Sequence, residues 1–211
     1  KFRIDAANEL ISNEPPPRDA VELLAFAGSR LGKTVYELHD ATLTIGDAEA
    51  GTARRLLDHC EWNIGPGDRI GIIGSNGSGK TSLIRMILGE IPASRGSVTT
   101  GVTVKPAYLS QHLEELNPRW RVLEAVEAVA SRVELGKGRE LTASQLCERL
   151  GFGADAQWTP VSDLSGGERR RLQLTRLLMG GPNVLVLDEP TNDFDVETLT
   201  ALEDLLDGFA G

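Results

Sequence analysis

The residues with the clearest chemical pattern form a glycine-rich loop that ends in a lysine and a hydroxyl residue. Residues 74–81 match the phosphate-loop pattern G-x-x-x-x-G-K-[S/T]. The glycines let backbone N–H groups wrap closely around a phosphate, Lys80 can neutralise the β- and γ-phosphates of a nucleotide, and the Thr81 hydroxyl can ligate Mg²⁺. The sequence therefore predicts a nucleotide site on this loop. Its predicted binding residues are Gly74, Ser75, Asn76, Gly77, Ser78, Gly79, Lys80, Thr81 and Ser82.

The loop lies between two segments of the kind that the motif requires. Residues 69–74 form a short apolar run typical of a buried strand, and the apolar positions of residues 81–88 recur at helical spacing. The structural alternative is a glycine-rich turn that merely joins a strand to a helix. The strand, loop and helix order favours the phosphate loop.

Two acids follow a second apolar run, residues 184–187. Mg²⁺ binds oxygen ligands and keeps several waters, so a carboxylate at the end of a neighbouring buried strand suits it. We predict that Asp188 contacts the metal through water and that Glu189 orients or deprotonates the water that attacks the γ-phosphate. An apolar strand that ends in two acids is common in α/β proteins. Its combination with the glycine loop is what indicates a hydrolytic site.

A third segment, residues 164–168, has the sequence LSGGE at the start of a predicted helix. Ser165 and Glu168 form a capping box, which is a sufficient structural reason for both residues. A cap does not explain Gly166 and Gly167, because glycine in the first turn lowers helix stability. Bare backbone N–H groups at a helix N-terminus do explain them, as a second phosphate-binding surface.

The periodicity of the chain predicts a β-rich front, a helical insert and an α/β back. Residues 1–33 differ from the rest, since Pro15, Pro16 and Pro17 separate two short helical patterns. We expect a hairpin from residues 35–45 and 56–64, further strands at 97–104 and 107–110, and a helix on which Val122, Val126, Val129 and Val133 share one face. Further expected helices are 142–150, with a Thr142/Gln145 cap, 166–179, and one that begins near Val196 after Asp195.

Composition limits the classes of protein to which the chain belongs. Its 211 residues suffice for one domain with its own core, and its formal net charge of −9 argues against a free-standing binder of nucleic acid or anionic membrane. Cys60 and Cys147 have no metal-ligand spacing and indicate reduced thiols. No apolar stretch approaches the roughly 20 residues of a membrane helix. We therefore expect a cytoplasmic protein without a transmembrane segment.

The three motifs, together with Gln111 in residues 108–111, have the order and spacing of the ABC-type ATPases, and the resemblance covers about residues 35–211. It implies an α/β fold with a P-loop NTPase (RecA-like) core, an antiparallel β subdomain and an inserted helical subdomain at about 113–163. It implies that the chain binds and hydrolyses ATP with Mg²⁺, and that Gln111 is a further Mg²⁺ ligand that reports the nucleotide state. It also implies that the signature residues act in trans on a second ABC domain, which closes head to tail with the first, and that residues 192–195 lie at that interface. Those signature residues are Ser165, Gly166, Gly167 and Glu168.

Three stretches, 159–161, 167–172 and 189–199, resemble the ABC-F group, and above all the second ATPase domain of Uup-like proteins. That group is associated with ribosomes, translation and antibiotic resistance. Its members carry two ATPase domains joined by a helical linker, so residues 1–33 would be the end of the linker and 34–211 the ATPase domain. The partner would be a second ABC domain of the same polypeptide or of a homodimer, and the ribosome a further partner. The alternatives are the ATPase subunit of a membrane transporter and a module that binds ATP without hydrolysing it.

Several positions depart from the family pattern or leave two interpretations open. Ile45 occupies the place of the aromatic residue that stacks on adenine, and Tyr36 lies nearby but out of place. The family places a γ-phosphate-sensing histidine after the last helix seen here, so the chain is expected to be truncated at its C-terminus. The arginines 169–171, with Arg176, either form a solvated helix face or contact RNA or the partner domain.

Overall fold

The computed structural model describes residues 31–47, 51–110, 116–134 and 140–190, and the single positions 194, 199, 200, 202, 203, 206, 207, 209 and 211. The front of this region is an antiparallel sheet with strand order β2–β1–β3. Its strands are β1 (Tyr36–Ile45), β2 (Arg54–Ile64) and β3 (Arg95–Thr100). The expected hairpin is thereby confirmed. Strand β3 ends before residue 104, because the chain turns at Gly101, whose carbonyl accepts a hydrogen bond from the Val104 N–H at 3.0 Å.

Helix α1 (Lys80–Ile87) packs on the antiparallel sheet. Leu38 and Leu43 of β1 are fully buried together with Met86 and Ile87 of α1. Burial of one leucine side chain contributes about 1.5–3 kcal/mol. This contact holds the C-terminal end of α1 against the sheet, and the helix connects that end to the glycine loop.

A pair of parallel strands forms the second sheet, from β4 (Pro106–Leu109) and β7 (Val184–Leu187). Asn183, which is fully buried, aligns the pair: its Oδ1 accepts a hydrogen bond from the Lys105 N–H and its Nδ2 donates to the Thr103 carbonyl, both at 2.7 Å. Because parallel strands end at the same edge of a sheet, the residues that follow β4 and β7 lie side by side.

The prediction of a buried strand at residues 69–74 is wrong for this structure. No strand is assigned from residue 65 to residue 79, and Ile70, Ile72 and Ile73 expose 46%, 37% and 98% of their surface. A strand needs a partner backbone about 4.8 Å away. Here a cavity of about 350 Å³ lies between this segment and β7, so the segment runs beside the parallel pair without joining it.

The inserted region consists of short helices around one apolar core. It contains α2 (Val122–Glu127), α3 (Ala143–Arg149) and a small hairpin of β5 (Arg132–Glu134) and β6 (Glu140–Thr142). Two 3₁₀ turns, Ala156–Trp158 and Val161–Asp163, lead into α4 (Gly166–Met179). The predicted cap of α3 is confirmed, since the Thr142 hydroxyl accepts a hydrogen bond from the Gln145 N–H at 3.2 Å.

The expected valine face from Val122 to Val133 is wrong beyond Glu127. Val126 is fully buried in α2, but Val129 is 42% exposed and Val133 lies in strand β5, where it pairs with Leu141. Valine is β-branched and suits a strand as well as a helix, so spacing alone did not distinguish the two. The start of the expected last helix lies outside the described residues, although positions 199, 200, 202, 203, 206 and 207 are helical.

Candidate functional site

The glycine loop turns sharply into α1. Gly77 and Gly79 have φ angles of 75° and 103°, in the region that favours glycine, and Gly79 is the N-cap of α1. A Cβ atom on Gly79 would lie 2.4 Å from Leu56 Cδ1, so a side chain there would require Leu56 to move. The loop conformation therefore requires glycine at this position, and the contact with Leu56 of β2 adds to that preference.

Lys80 lies over the loop that precedes it. Its ammonium donates hydrogen bonds to the carbonyls of Gly74 at 2.9 Å and Ser75 at 3.2 Å. The same Nζ atom is 3.7 Å from Oε1 of Glu189, and the two side chains are only 17% and 25% exposed. The positive charge of the loop thus faces the acid that follows β7.

Asp188 is the most buried of the predicted site residues that the structure describes, at 3% exposure, and it joins the loop to the parallel pair. Its Oδ2 accepts a hydrogen bond from the Thr81 hydroxyl at 2.7 Å and a second from the Tyr108 hydroxyl at 3.2 Å. Because the Thr81 proton is directed at the carboxylate, the lone pairs of that hydroxyl are left for a cation. Burial and the charge of Asp188 raise the pKa of Tyr108 to about 12, so the phenol remains a donor at neutral pH.

Glu189 has a left-handed backbone, with φ of 49°, which is uncommon for a residue other than glycine. Such a conformation costs on the order of 1–3 kcal/mol and is concentrated at functional sites. In this backbone conformation the Glu189 carboxylate lies beside the ammonium of Lys80. Lys80, Asp188 and Glu189 all line the cavity of about 350 Å³ beside β7.

The LSGGE segment starts α4 with a complete capping box. The Ser165 hydroxyl accepts a hydrogen bond from the Glu168 N–H at 3.3 Å, and the Glu168 carboxylate accepts from the Ser165 N–H at 2.8 Å. A Cβ atom on Gly166 would meet nothing within 4 Å, and Gly166 has no positive φ angle. Neither packing nor backbone conformation in this part of the chain requires glycine there. None of residues 165–168 lines the cavity beside Lys80.

The arginines of α4 differ in exposure: Arg169 is exposed and Arg176 half-buried, whereas Arg170 and Arg171 are buried. Arg170 is 1% exposed and donates a hydrogen bond to the Ser110 carbonyl. Arg171 is 8% exposed and stacks on Phe152 with its guanidinium carbon 5.0 Å from the ring centre. Arg176 donates to the Ala125 carbonyl at 2.9 Å. Arg170, Arg171 and Arg176 thus connect α4 to the rest of its own chain, and both proposed interpretations were wrong for Arg170 and Arg171.

Several expected site residues lie outside the described residues. Gln111 is one of them, and it comes directly after Ser110, the acceptor of Arg170. Of residues 192–195, only Phe194 is described, and it is buried. Tyr36 is buried in the sheet core at 2% exposure, so it is not available to stack on a base.

Sequence reasoning did not find two residues that contact the site. Tyr108 donates a hydrogen bond to Asp188 across 80 positions, and the signal in the sequence was its place one residue before the end of β4. Arg54, which pairs with Ile45 at the end of the β1–β2 hairpin, donates a hydrogen bond to the Gly77 carbonyl at 3.1 Å. Nothing in the sequence signals the contact of Arg54, because it depends on how the hairpin folds over the loop.

Comparisons with known proteins agree with this geometry. The sequence profile of a family described as "ABC transporter" matches residues 57–192. The chain is 40% identical over 211 residues to the ABC transporter ATP-binding protein YfmR of Bacillus subtilis, covering 100% of this chain and 33% of the relative. It is 39% identical over 212 residues to the energy-dependent translational throttle protein EttA of Escherichia coli K12, covering 100% and 37%. It is 38% identical over 184 residues to the ATP-binding protein Uup of the same strain, covering 87% and 28%.

The fold also matches solved structures. The dimeric structure of MJ0796, a bacterial ABC transporter cassette, superimposes with a TM-score of 0.62 at 21% identity, over 83% of this chain and 85% of the other. The predicted P-loop NTPase fold is thereby confirmed, as is the resemblance to Uup-like proteins. The chain spans about a third of the length of the curated relatives it matches. In the described part of the chain, no helix is long and apolar enough to cross a membrane.

The family match runs from within β2, through the glycine loop and α4, to just beyond Asp188 and Glu189, which is well over half of the 211 residues. The chain therefore belongs to the ABC transporter family and is an ATP-binding cassette.

Proposed function

We propose that the cassette binds ATP with Mg²⁺ on residues 74–82 and hydrolyses it with Glu189 as the base. The observation that carries this proposal is the contact of Thr81 with Asp188, 2.7 Å across 107 positions, beside the 3.7 Å approach of Lys80 to Glu189. These contacts bring the loop and the two acids into one half-buried cluster. A phosphate-binding cation, a candidate metal ligand and a general base are the parts that phosphoryl transfer to water needs.

The donor set suits Mg²⁺, which prefers oxygen ligands in octahedral geometry and retains waters. Asp188 offers carboxylate oxygens, and Thr81 offers hydroxyl lone pairs because its proton is donated to Asp188. Gln111, which follows β4, would add an amide oxygen. When bound, Mg²⁺ supplies positive charge to the β- and γ-phosphate oxygens.

The chain's own residues perform the remaining steps. Lys80 exchanges its loop carbonyls for phosphate oxygens, since charge-assisted hydrogen bonds to phosphate are the stronger ones. The N-terminal N–H groups of α1 and the backbone of the glycine loop face the phosphates. Glu189 accepts the proton of the attacking water, and its left-handed backbone aims the carboxylate at the Lys80 side of the site.

Residues 165–168 complete the site of a second ABC domain. Two observations support this. Gly166 has open space around it, and none of residues 165–168 lines the cavity beside Lys80 of their own chain. The second domain belongs to the same polypeptide or to a homodimer. Closure of the two domains, head to tail over ATP, is then the mechanical output of the cassette.

For the whole protein, we propose an ABC-F ATPase that acts on ribosomes in the cytoplasm, in translation or antibiotic resistance. The name of EttA, a translational throttle protein, and the match to Uup support this over the ATPase subunit of a membrane transporter. Residues 1–33 would end a linker from a first cassette, and 34–211 would be the second, with its helical subdomain at about 113–163. A membrane-subunit gene beside this one, without a second cassette in the same reading frame, would favour the transporter.

Lys80→Ala tests nucleotide binding directly. Titration of the purified protein with a fluorescent ATP analogue should give saturable binding for the parent chain and no measurable binding for the variant. The control is Lys33→Ala, which also removes one positive charge, but at an exposed position. This variant should bind the ATP analogue like the parent. Equal binding by Lys80→Ala would refute the site. Binding without any turnover would support the module that only binds ATP.

A further inference from the structure

We propose that Tyr108 is a positioning residue for the cation site, because its hydroxyl holds Asp188 in the rotamer that orients the Thr81 hydroxyl. The inference rests on the proposed function in one respect, namely that Thr81 and Asp188 serve Mg²⁺. It adds a third residue, whose side chain would not touch the metal or the nucleotide.

The register of the parallel pair places Tyr108 opposite Val186, two residues before Asp188. Side chains two apart on a strand point to the same face, so Tyr108 and Asp188 share a face of the pair. The Tyr108 hydroxyl reaches Asp188 Oδ2 at 3.2 Å, and the backbone N–H of Asp188 donates to the Leu109 carbonyl at 3.0 Å. Two residues of β4 therefore hold Asp188, one through its side chain and one through its backbone.

Both hydroxyls donate to the same oxygen. Thr81 and Tyr108 together use the two lone pairs of Oδ2, so Oδ1 is the oxygen that would serve the cation site. Asp188 is 3% exposed, so water cannot readily replace a lost donor. Without Tyr108 the carboxylate can rotate, and Thr81 then loses the acceptor that directs its lone pairs toward the cation site.

The second tyrosine of the chain provides a matched control. Tyr36 is 2% exposed in the sheet core, and within the described residues its hydroxyl has no hydrogen-bond partner. Tyr36→Phe and Tyr108→Phe remove the same atom, the first from a buried position and the second from a half-buried one. Only Tyr108→Phe removes a hydrogen bond to Asp188.

The experiment measures Mn²⁺ binding to the protein with ADP by electron paramagnetic resonance, and ADP affinity in EDTA by calorimetry. For Tyr108→Phe we expect Mn²⁺ affinity to fall roughly tenfold, the lower end for partners of metal ligands. Its metal-free ADP affinity should stay within about twofold of the parent, because the Tyr108 side chain would not touch the nucleotide. Tyr36→Phe should match the parent in both measurements.

Parental Mn²⁺ affinity in Tyr108→Phe would overturn the inference. So would an equal loss of Mn²⁺ and metal-free ADP binding, because that pattern indicates a general structural defect. If the parent bound neither ADP nor Mn²⁺, the proposed function itself would fail, which is a separate result from failure of the variant alone.

Discussion

The Arg170 guanidinium donates a hydrogen bond to the backbone carbonyl of Ser110, 60 positions earlier in the chain. Arg170 lies in the second turn of α4, the helix that begins at the LSGGE segment, and Ser110 directly follows β4. One buried side chain thus joins the helix that begins after Ser165 to the residue before Gln111.

We expect Arg170→Met to destabilise the fold by about 1–3 kcal/mol, because it keeps the apolar stem but leaves the Ser110 carbonyl without this donor. Arg169→Met also removes hydrogen bonds, to the Leu164 and Ser162 carbonyls, but Arg169 is exposed and water can replace it, so this change should cost at most about 1 kcal/mol. Urea denaturation followed by circular dichroism measures both. Equal losses for the two variants would contradict the role given to Arg170.

Gly166→Ala separates stability from function. A methyl group there meets nothing within 4 Å, and alanine is the better helix former, so stability should stay level or rise by up to about 1 kcal/mol. ATP hydrolysis by the intact protein should nevertheless fall, because the methyl group hinders close approach to the phosphates of the facing domain.

Gly153→Ala is the control for this experiment. Its added Cβ atom also meets nothing within 4 Å, and Gly153 has no positive φ angle. We expect parental hydrolysis and parental thermal stability. Undiminished hydrolysis by Gly166→Ala would argue against action of residues 165–168 in trans.

The two thiols should differ in reactivity with an aromatic disulfide reagent. Burial raises the pKa of Cys147 to about 12, and this residue has no exposed surface, whereas Cys60 is half-buried. The thiolate is the reactive form. In the native protein at pH 8, we expect one thiol to react and the second only after unfolding.

Cys60→Ser should then leave the native protein unreactive, and a fast reaction of that variant would show that Cys147 is accessible. Because the pKa of Cys147 lies above its ordinary value of 9.0 in the folded state, its contribution to stability is complete below about pH 9. That contribution is lost as the pH rises through about 12.

Local features of the fold could be predicted from the sequence. The caps at Thr142 and Ser165 depend on residues three apart, and the glycine loop depends on eight consecutive residues, so short-range pattern was enough. Asp188 and Glu189 could be predicted because they directly follow the apolar run that forms β7.

Long-range packing could not be predicted in the same way. Tyr108 meets Asp188 and Arg170 meets Ser110 only when β4 lies beside β7 and α4. A cluster of arginines in a sequence predicts a solvent-exposed helix face, yet two of the arginines in α4 are buried. Whether residues 69–74 pair with β7 depends on the distance between two backbones, which no local pattern records.

The measurement that tests the central claim most directly is ATP turnover by the intact protein and by its Glu189→Gln variant, with ATP binding followed in parallel. The amide keeps the shape of the side chain near Lys80 but cannot accept a proton from water. We predict that ATP binding is retained, that turnover falls by about 10²–10⁴-fold, and that the closed two-domain state accumulates. Turnover at the parental rate by Glu189→Gln would contradict the account.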